Sequence, residues 1–407
     1  MVVMTEVASV PEEAVGFDPL PGDPHVTLVE GASFCVSAHD GSIDPAAAQG
    51  LFVRDTRVVS RWQLYVDGVP VEPLGVVPEA PFSCRFLGRA GSRGHGADTT
   101  LVVERRRFVA RGMREDLTLR NFGDEPAGVD LSLLVDADFA DLFEVKDGRG
   151  ATRRTVARRA LGADLVCWLE HAPERRGVRI TARDAVASAD GLTFRVVVPA
   201  RSSWSTTVEA LPSVEGEELP ADFPTDRPVE TAGPARRMHG WNAAAPDVSV
   251  GHPGLARALA RSVRDLGALR IEDPDHPDDD VIAAGAPWFM ALFGRDSLLT
   301  GAMMLPFFPE LALGTLRTLA RLQGRESDAM SEEQPGRILH EVRLGADESL
   351  ALGGRSVYYG SIDSTPLFVL VAGEALRWGV PVERLRELMP AVDRAMGWIE
   401  EHGDRDG

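Results

Sequence analysis

The sequence predicts an α+β protein of two domains, an N-terminal β-sandwich followed by helices that form part of a barrel. Three observations lead there. The 407 residues exceed the usual size of one domain, so two are expected, each with its own core. In the first half short apolar alternations are broken by turn residues, whereas from Pro253 onward apolar residues recur at helical spacing. Within the second half, two segments set aromatic rings and one acid at the mouth of an apolar helix: Ala286-Pro287-Trp288-Phe289 leading to Phe293-Gly294-Arg295-Asp296-Ser297, and Tyr358-Tyr359-Gly360-Ser361-Ile362-Asp363-Ser364-Thr365-Pro366-Leu367. Loop-to-helix junctions of this kind, repeated in an all-helical region, suggest a barrel with a pocket at one end.

Expected strands lie at 33–36, 56–59, 63–66, 100–103, 117–120, 129–135, 165–169, 177–180 and 193–198. Between 117–120 and 129–135 stands Asn121-Phe122-Gly123-Asp124-Glu125-Pro126, whose turn residues predict a hairpin. Many short strands at this spacing argue for a sandwich over residues 28–212. No repeat of fixed period stands out. Residues 213–252 carry Pro, Gly and acidic residues with little periodicity, and they read as a linker.

Residues 253–407 read as helical. Leu255, Leu259, Val263, Leu266 and Leu269 fall on one face, and further helices are expected at 296–305, 309–323, 364–378 and 383–402, the last opened by Glu383 and Arg384 after Pro381. Five or six helices would leave apolar faces open if a closed toroid were intended, so the chain is expected to hold only the first part of a barrel. The final stretch, His402-Gly403-Asp404-Arg405-Asp406-Gly407, reads as a loop; it is too short for a calcium-binding frame.

Composition narrows the function classes. A net charge of −19 argues against a nucleic-acid partner, which needs clustered Lys and Arg, and favours a neutral polyhydroxyl ligand. Lys146 is the only lysine among 43 basic residues, a bias attributed to codon usage. Cys35, Cys84 and Cys167 are odd in number and far apart, which predicts buried thiols in a reducing cytoplasm with neither a disulfide framework nor a zinc site. The N-terminus Met1-Val2-Val3-Met4-Thr5-Glu6 lacks a leader pattern and no run of about 18 apolar residues occurs, so no membrane association is expected. Other constellations carry little. The glycine-rich run from Gly88 to Gly94 lacks a phosphate-loop ending, and no cofactor is implied. Glu104-Arg105-Arg106-Arg107 is a short basic run inside a strand pattern. Asp273, Asp275, Asp278, Asp279 and Asp280 read as a solvated loop in preference to a cation site.

The residues that carry chemistry lie in the helical half. Asp363 opens the apolar run Leu367-Phe368-Val369-Leu370-Val371 beside small hydroxyls and two tyrosines, and by pattern alone it reads either as a working acid or as a helix cap. Asp296 carries the same ambiguity. With Trp288 and Phe289 before it, it is expected to accept hydrogen bonds from a sugar while a ring stacks on the pyranose face. Arg295 is expected to pair with one of the two carboxylates. Pro335-Gly336-Arg337-Ile338-Leu339-His340-Glu341 is loop-like and would bring His340 and Glu341 to a pocket rim. Tyr358 and Tyr359 suit a sugar wall, with core packing as the alternative.

These segments, together with Asp136-Ala137-Asp138-Phe139-Ala140-Asp141-Leu142-Phe143-Glu144-Val145, resemble the prokaryotic amylo-α-1,6-glucosidase, or glycogen-debranching-enzyme-like, family. The resemblance runs from about residue 28 onward. It implies an N-terminal β domain joined to an (α/α)6 barrel, no cofactor, and inverting hydrolysis of α-glucosidic linkages in glycogen-like or related oligosaccharides. Inversion needs a protonated acid and a separate base about 6.5–9.5 Å apart. The motif match makes Asp363 the acid and Trp288, Phe289, Arg295, Asp296, His340, Glu341, Tyr358 and Tyr359 sugar contacts, with the base expected beyond residue 407. A carbohydrate-binding fragment without turnover, and a hydrolase of a small glycoside of trehalose or glycosylglycerate type, are the alternatives.

Overall fold

Alternating burial builds the first half of the computed structural model, which describes residues 25–91, 100–148, 154–169, 175–273, 275–343 and 357–403. Along Met113–Asn121 every second side chain is buried, and Arg61–Val66 repeats the pattern with Trp62, Leu64 and Val66 inward. Strands of this kind form two sheets packed face to face. The larger runs Val156–Leu161, Asp164–Leu169, Gly177–Ala182, Ser203–Val214, Met113–Asn121, Leu101–Val109, Ser83–Arg89, Glu72–Ala80, with Glu217–Glu218 beside Ser203–Val214. The smaller runs Val186–Ser188, Gly191–Val198, Ala127–Asp136, Arg61–Val66, Val69–Pro70. Leu117, Leu119, Ile180 and Val208 of one meet Leu131, Leu133, Phe194 and Val198 of the other in a shared core. A third sheet, His25–Glu30, Ser33–Ala38, Gly50–Val53, Thr56–Val59 and Ala140–Asp141, carries the stacked rings of Phe34 and Phe52 toward the helical half.

The expected hairpin at 117–135 is not one. Met113–Asn121 pairs with Leu101–Val109 and Ser203–Val214, while Ala127–Asp136 pairs with Gly191–Val198 and Arg61–Val66 in the opposite sheet. The turn is therefore an arch between layers. Asn121 holds it: its amide nitrogen donates to the carbonyls of Glu125, Val198 and Pro199, and its Oδ1 accepts from the Gly123 N–H. Turn residues signal a reversal without saying whether the strands that follow pair or part.

The basic run at 104–107 splits by strand geometry. Arg106 points outward to Glu79, while Arg105 and Arg107 point into the sandwich, where both guanidinium groups donate to the buried Glu115 carboxylate. Trp62 Nε1 donates to the same carboxylate, and the carbonyls of Asp40 and Gly41 take further guanidinium protons.

Residues 213–252 form a packed connector with a helix of its own, Gly233–Ala244, where sequence periodicity predicts only a linker. The connector's Phe223, Met238 and Trp241 join Phe82 and Phe108 of the β half and Phe308 of the helical half in one cluster. Trp241 stacks on Phe308 with ring centroids 4.3 Å apart.

Beyond Pro253 the described helices are Pro253–Ala268, Gly294–Met304, Pro309–Arg321, Ser364–Arg377, Val382–Arg386 and Met389–His402. The helix expected at 383–402 is divided in two, because Pro390 has no N–H to continue the ladder and restricts the residue before it. The stripe on Pro253–Ala268 is covered only at its C-terminal end, where Val263 and Leu266 pack; Leu255 and Leu259 are exposed. Leu299, Met303, Leu370 and Leu376 are exposed as well. The acidic cluster at 273–280 lies in a β-hairpin, Arg270–Asp273 with His276–Ile282, and is not simply a solvated loop. Asp279 is buried there and accepts from Arg317 and Arg321, while Asp280 pairs with Arg270. No group of acids, His or Cys able to hold a metal occurs among the described residues. The three cysteines are buried and free, and no described helix is long and apolar enough to cross a membrane. The expectations for Met1–Glu6, for residues 92–94 of the glycine-rich run and for Asp404–Gly407 fall outside the described residues.

Candidate functional site

Three segments meet where the helices Gly294–Met304 and Ser364–Arg377 begin. Gly294 makes the approach possible. A Cβ on it would lie 2.1 Å from the Leu339 carbonyl oxygen and 2.8 Å from Ser364 Oγ, while its N–H donates to the His340 carbonyl at 2.9 Å. A second tie runs from the Ile338 N–H to the buried Thr365 Oγ1 at 2.9 Å. Segments 293–297, 338–341 and 361–365 are thereby fixed against one another, which brings residues far apart in sequence to one face.

On that face Arg295 lies between the two acids. Its Nη1 donates to Asp363 Oδ2 at 3.2 Å, and its Nε stands 3.8 Å from Asp296 Oδ2. Asp363 occupies the N-cap position of its helix but makes no capping hydrogen bond; its carboxylate takes the Ser361 hydroxyl and Arg295 instead. Ser361 also contacts Ser364 Oγ at 2.9 Å. Asp296 is inside the first turn of its helix, whose N-cap is Phe293, and it too makes no capping bond. Capping therefore accounts for neither acid. Burial alone pushes the Asp363 carboxyl up, but the Ser361 hydroxyl and the Arg295 guanidinium outweigh it and hold the group below the usual carboxylate range. In this arrangement Asp363 is an ionised carboxylate at neutral pH.

A row of rings runs beside these acids, each edge-on to the next. Phe289 to Phe293 measures 5.9 Å, Phe293 to His340 5.6 Å, and His340 to Tyr358 5.9 Å between centroids. Tyr358 ends the row by donating its hydroxyl to Glu332 at 2.9 Å, which raises its pKa. At the other end Phe289 is exposed, and the Lys146 ammonium, carried by the short helix Leu142–Lys146 of the β half, lies 4.7 Å from its centroid. Glu341 is buried, with Arg343 Nη2 at 2.8 Å from its Oε2, and the Arg343 guanidinium is sandwiched between the rings of Phe143 and Phe293.

Two of the expected sugar contacts lie elsewhere. Trp288 packs edge-on against Phe34 and Phe52 of the β half. Tyr359 is turned into the helical core, where its hydroxyl donates to the Leu322 carbonyl and burial pushes its pKa up to about 12. Adjacent aromatics alternate direction on an extended chain, so Tyr358 and Tyr359 were not both able to face one surface. Arg295, Asp296, Asp363, Phe289, His340 and Tyr358 are brought together. No site role is expected from the sequence for Ser361, Lys146 or Arg343. Ser361 had a signal in its place two residues before Asp363, and Lys146 in being the lone lysine. Concave spaces of about 480 and 680 Å³ lie away from this face, and neither borders Asp363.

Residues 28–209 match the family model for the N-terminal domain of (some) glycogen debranching enzymes. Among solved structures, a putative kojibiose phosphorylase from human microbiome matches 86% of this chain at a TM-score of 0.54 and 9% identity, which supports a shared fold; the chain spans 53% of that protein's length. The Slr1438 protein of Synechocystis sp. PCC 6803 (10% identity, 53% of this chain and 100% of that one) and a galactose mutarotase-like protein from Clostridium acetobutylicum (6%, 48% and 95%) align at TM-scores of 0.29 and 0.27, too low to carry fold or function. No curated protein matches.

Proposed function

Residues 28–209 belong to the N-terminal domain family of glycogen debranching enzymes, and on that premise we propose that this chain is part of a glycoside hydrolase acting on α-glucosidic linkages of glycogen-like or related oligosaccharides. Its helices form the first part of an (α/α)6 barrel, a reading supported by the likeness to a longer protein of which this chain covers 53%. The observation that carries the proposal is the Asp363–Arg295–Asp296 constellation at two converging helix starts, freed from capping and flanked by an aromatic row. Asp296 and Arg295 bind sugar hydroxyls, and the exposed Phe289 ring offers an apolar surface to a pyranose. Nucleic acid and membrane are not partners in this reading, and the buried free thiols fit a cytoplasmic setting.

In the proposed mechanism Asp363 protonates the glycosidic oxygen while a carboxylate from beyond residue 407 activates water on the opposite face. A general acid must hold its proton, whereas Ser361 and Arg295 stabilise the Asp363 anion. Substrate binding must therefore draw Arg295 onto the sugar and leave Asp363 in a drier, less compensated place. The test uses the protein extended past residue 407. Asp363→Asn should lower turnover of an unactivated glucan by about 10²–10⁴-fold while sparing glycosyl fluorides, which need little protonation. Asp296→Asn should weaken both substrates alike. If Asp296→Asn instead gave the leaving-group-dependent loss, the acid would be Asp296.

A second reading rests on the same low pKa. If Asp363 stays ionised with sugar bound, the face binds glucan without turnover, as a hydrogen-bond acceptor only. Full glucan binding by the extended protein with no hydrolysis of either substrate class selects this reading.

A further inference from the structure

The 680 Å³ cleft lies at the junction of the β half, the connector helix and the hairpin that follows it, and shares no lining residue with the Asp363 face. Its charge is unlike that of the whole molecule. Four guanidinium-bearing side chains, Arg54, Arg111, Arg237 and Arg270, line it against two carboxylates, Glu30 and Asp222, in a chain of net charge −19. Three of the four arginines have carboxylate partners: Arg111 pairs with Asp222 at 2.6 Å, Arg270 with Asp280 at 2.8 Å, and Arg237 with Glu30. Arg54 has none.

The backbone beneath Arg54 gives an independent sign. Val53 pairs with Thr56, so Arg54 and Asp55 form a two-residue hairpin loop, with φ of 49° and 58°. A loop with positive φ at both positions is made most easily by Gly, Asn and Asp, and Arg is disfavoured there. Asp55 is buried, and its carbonyl accepts from the Leu142 N–H, which accounts for its place. Arg54 is exposed at the cleft, and no hydrogen bond or ion pair to its guanidinium occurs among the described residues. Strain retained at a position without a structural partner points to a ligand.

We propose that this cleft is a second binding site, for a small molecule bearing a phosphate or carboxylate group, and that Arg54 supplies the guanidinium that takes the oxyanion. The volume suits a metabolite of sugar size. Arg111, Arg237 and Arg270 keep their own partners and make the surrounding potential favourable, while Arg54 is free to form the bidentate contact.

Calorimetric titration of the full 407-residue chain with glucose 6-phosphate, glucuronate, inorganic phosphate and glucose tests this. Either anionic sugar binds, salt weakens it, and the stronger of the two identifies phosphate or carboxylate as the preferred group. Arg54→Gln weakens that binding about tenfold or more. Arg54→Gly weakens it equally without lowering the melting temperature, because glycine accepts the φ that arginine resists. Arg201, also at positive φ (52°) but paired with Asp124 on the surface, is the control, and Arg201→Gln leaves binding unchanged. The proposal fails if neither anionic sugar binds, if glucose competes equally, if Arg201→Gln matches Arg54→Gln, or if Arg54→Gly destabilises the fold while binding is retained.

Discussion

Replacing Gly294 with alanine asks whether close approach of three segments holds Arg295 and Asp296 beside Asp363. The new Cβ would stand 2.1 Å from the Leu339 carbonyl oxygen, whereas carbon and oxygen in contact normally keep about 3.3 Å. Leu339 lies in a buried segment tied to Thr365, so it has no room to retreat. The helix start must move by roughly 1 Å, which breaks the Gly294–His340 hydrogen bond; adding that loss of about 1 kcal/mol to about 1–3 for overpacking gives about 2–4 kcal/mol. Gly373, in the helix Ser364–Arg377, is the contrast. A Cβ there meets nothing within 4 Å, so Gly373→Ala should stabilise by about 0.5–1 kcal/mol. Urea unfolding gives the stabilities, and glucan affinity reads the site. If Gly294→Ala unfolds within about 0.5 kcal/mol of wild type and binds glucan undiminished, the three-segment junction is not what positions the acids.

Glu115→Gln should destabilise the sandwich by about 3–5 kcal/mol, because Arg105 and Arg107 are left buried without a countercharge, whereas Arg105→Met with Glu115→Leu and Arg107→Met together should recover most of it. Burial raises the Glu115 pKa but the two arginines and Trp62 outweigh it, holding it at about 2 against an ordinary 4.5. A depressed carboxylate contributes stability fully above 4.5 and loses it as pH falls toward 2, so the urea midpoint should drop across that window in wild type and stay flatter in the apolar triple variant. Tyr359→Phe should cost about 1 kcal/mol through the abandoned Leu322 carbonyl and leave glucan affinity unchanged. A clear loss of affinity in that variant would return Tyr359 to the binding face.

The change from period two to helical period was legible because each half buries one face, and burial is what writes a period into sequence. Helices at 294–304, 309–321 and 364–377 came within two residues of the expected bounds for the same reason. Which strands pair was not legible. Asn121 and its turn residues look alike whether the chain folds back in one sheet or crosses to another, and only the long-range carbonyls of Val198 and Pro199 decide it. The connector helix Gly233–Ala244 escaped because its apolar contacts, Met238 and Trp241, are few and meet partners from both halves of the chain.

At the site, residue identity was legible and direction was not. Asp363, Arg295 and Asp296 stand in short motifs whose helix starts fix them within a turn, and a glycine before Arg295 marks a close approach that sequence can suggest. Trp288 and Tyr359 sit in equally suggestive motifs yet serve the interface and the core, since a ring's facing depends on which neighbour it meets. The charge state of Asp363 depends on such neighbours too. Read from sequence, an apolar helix beneath the acid predicts a raised pKa. In the fold, Asp363 sits at the rim of that helix, where Ser361 and Arg295 reach it first and favour the anion. The apolar run affects acidity only if substrate displaces the guanidinium, so catalysis by Asp363 requires the same arginine to serve as both restraint and sugar ligand. Arg295→Lys would separate those duties: a point charge keeps the attraction to Asp363 but loses the planar fork that shares donors among two acids and a sugar, so glucan affinity should fall while Asp363 stays ionised in the free protein. A carboxyl signal for Asp363 that titrates as in wild type, together with weakened binding, would support that division; unchanged binding would remove Arg295 from the sugar face.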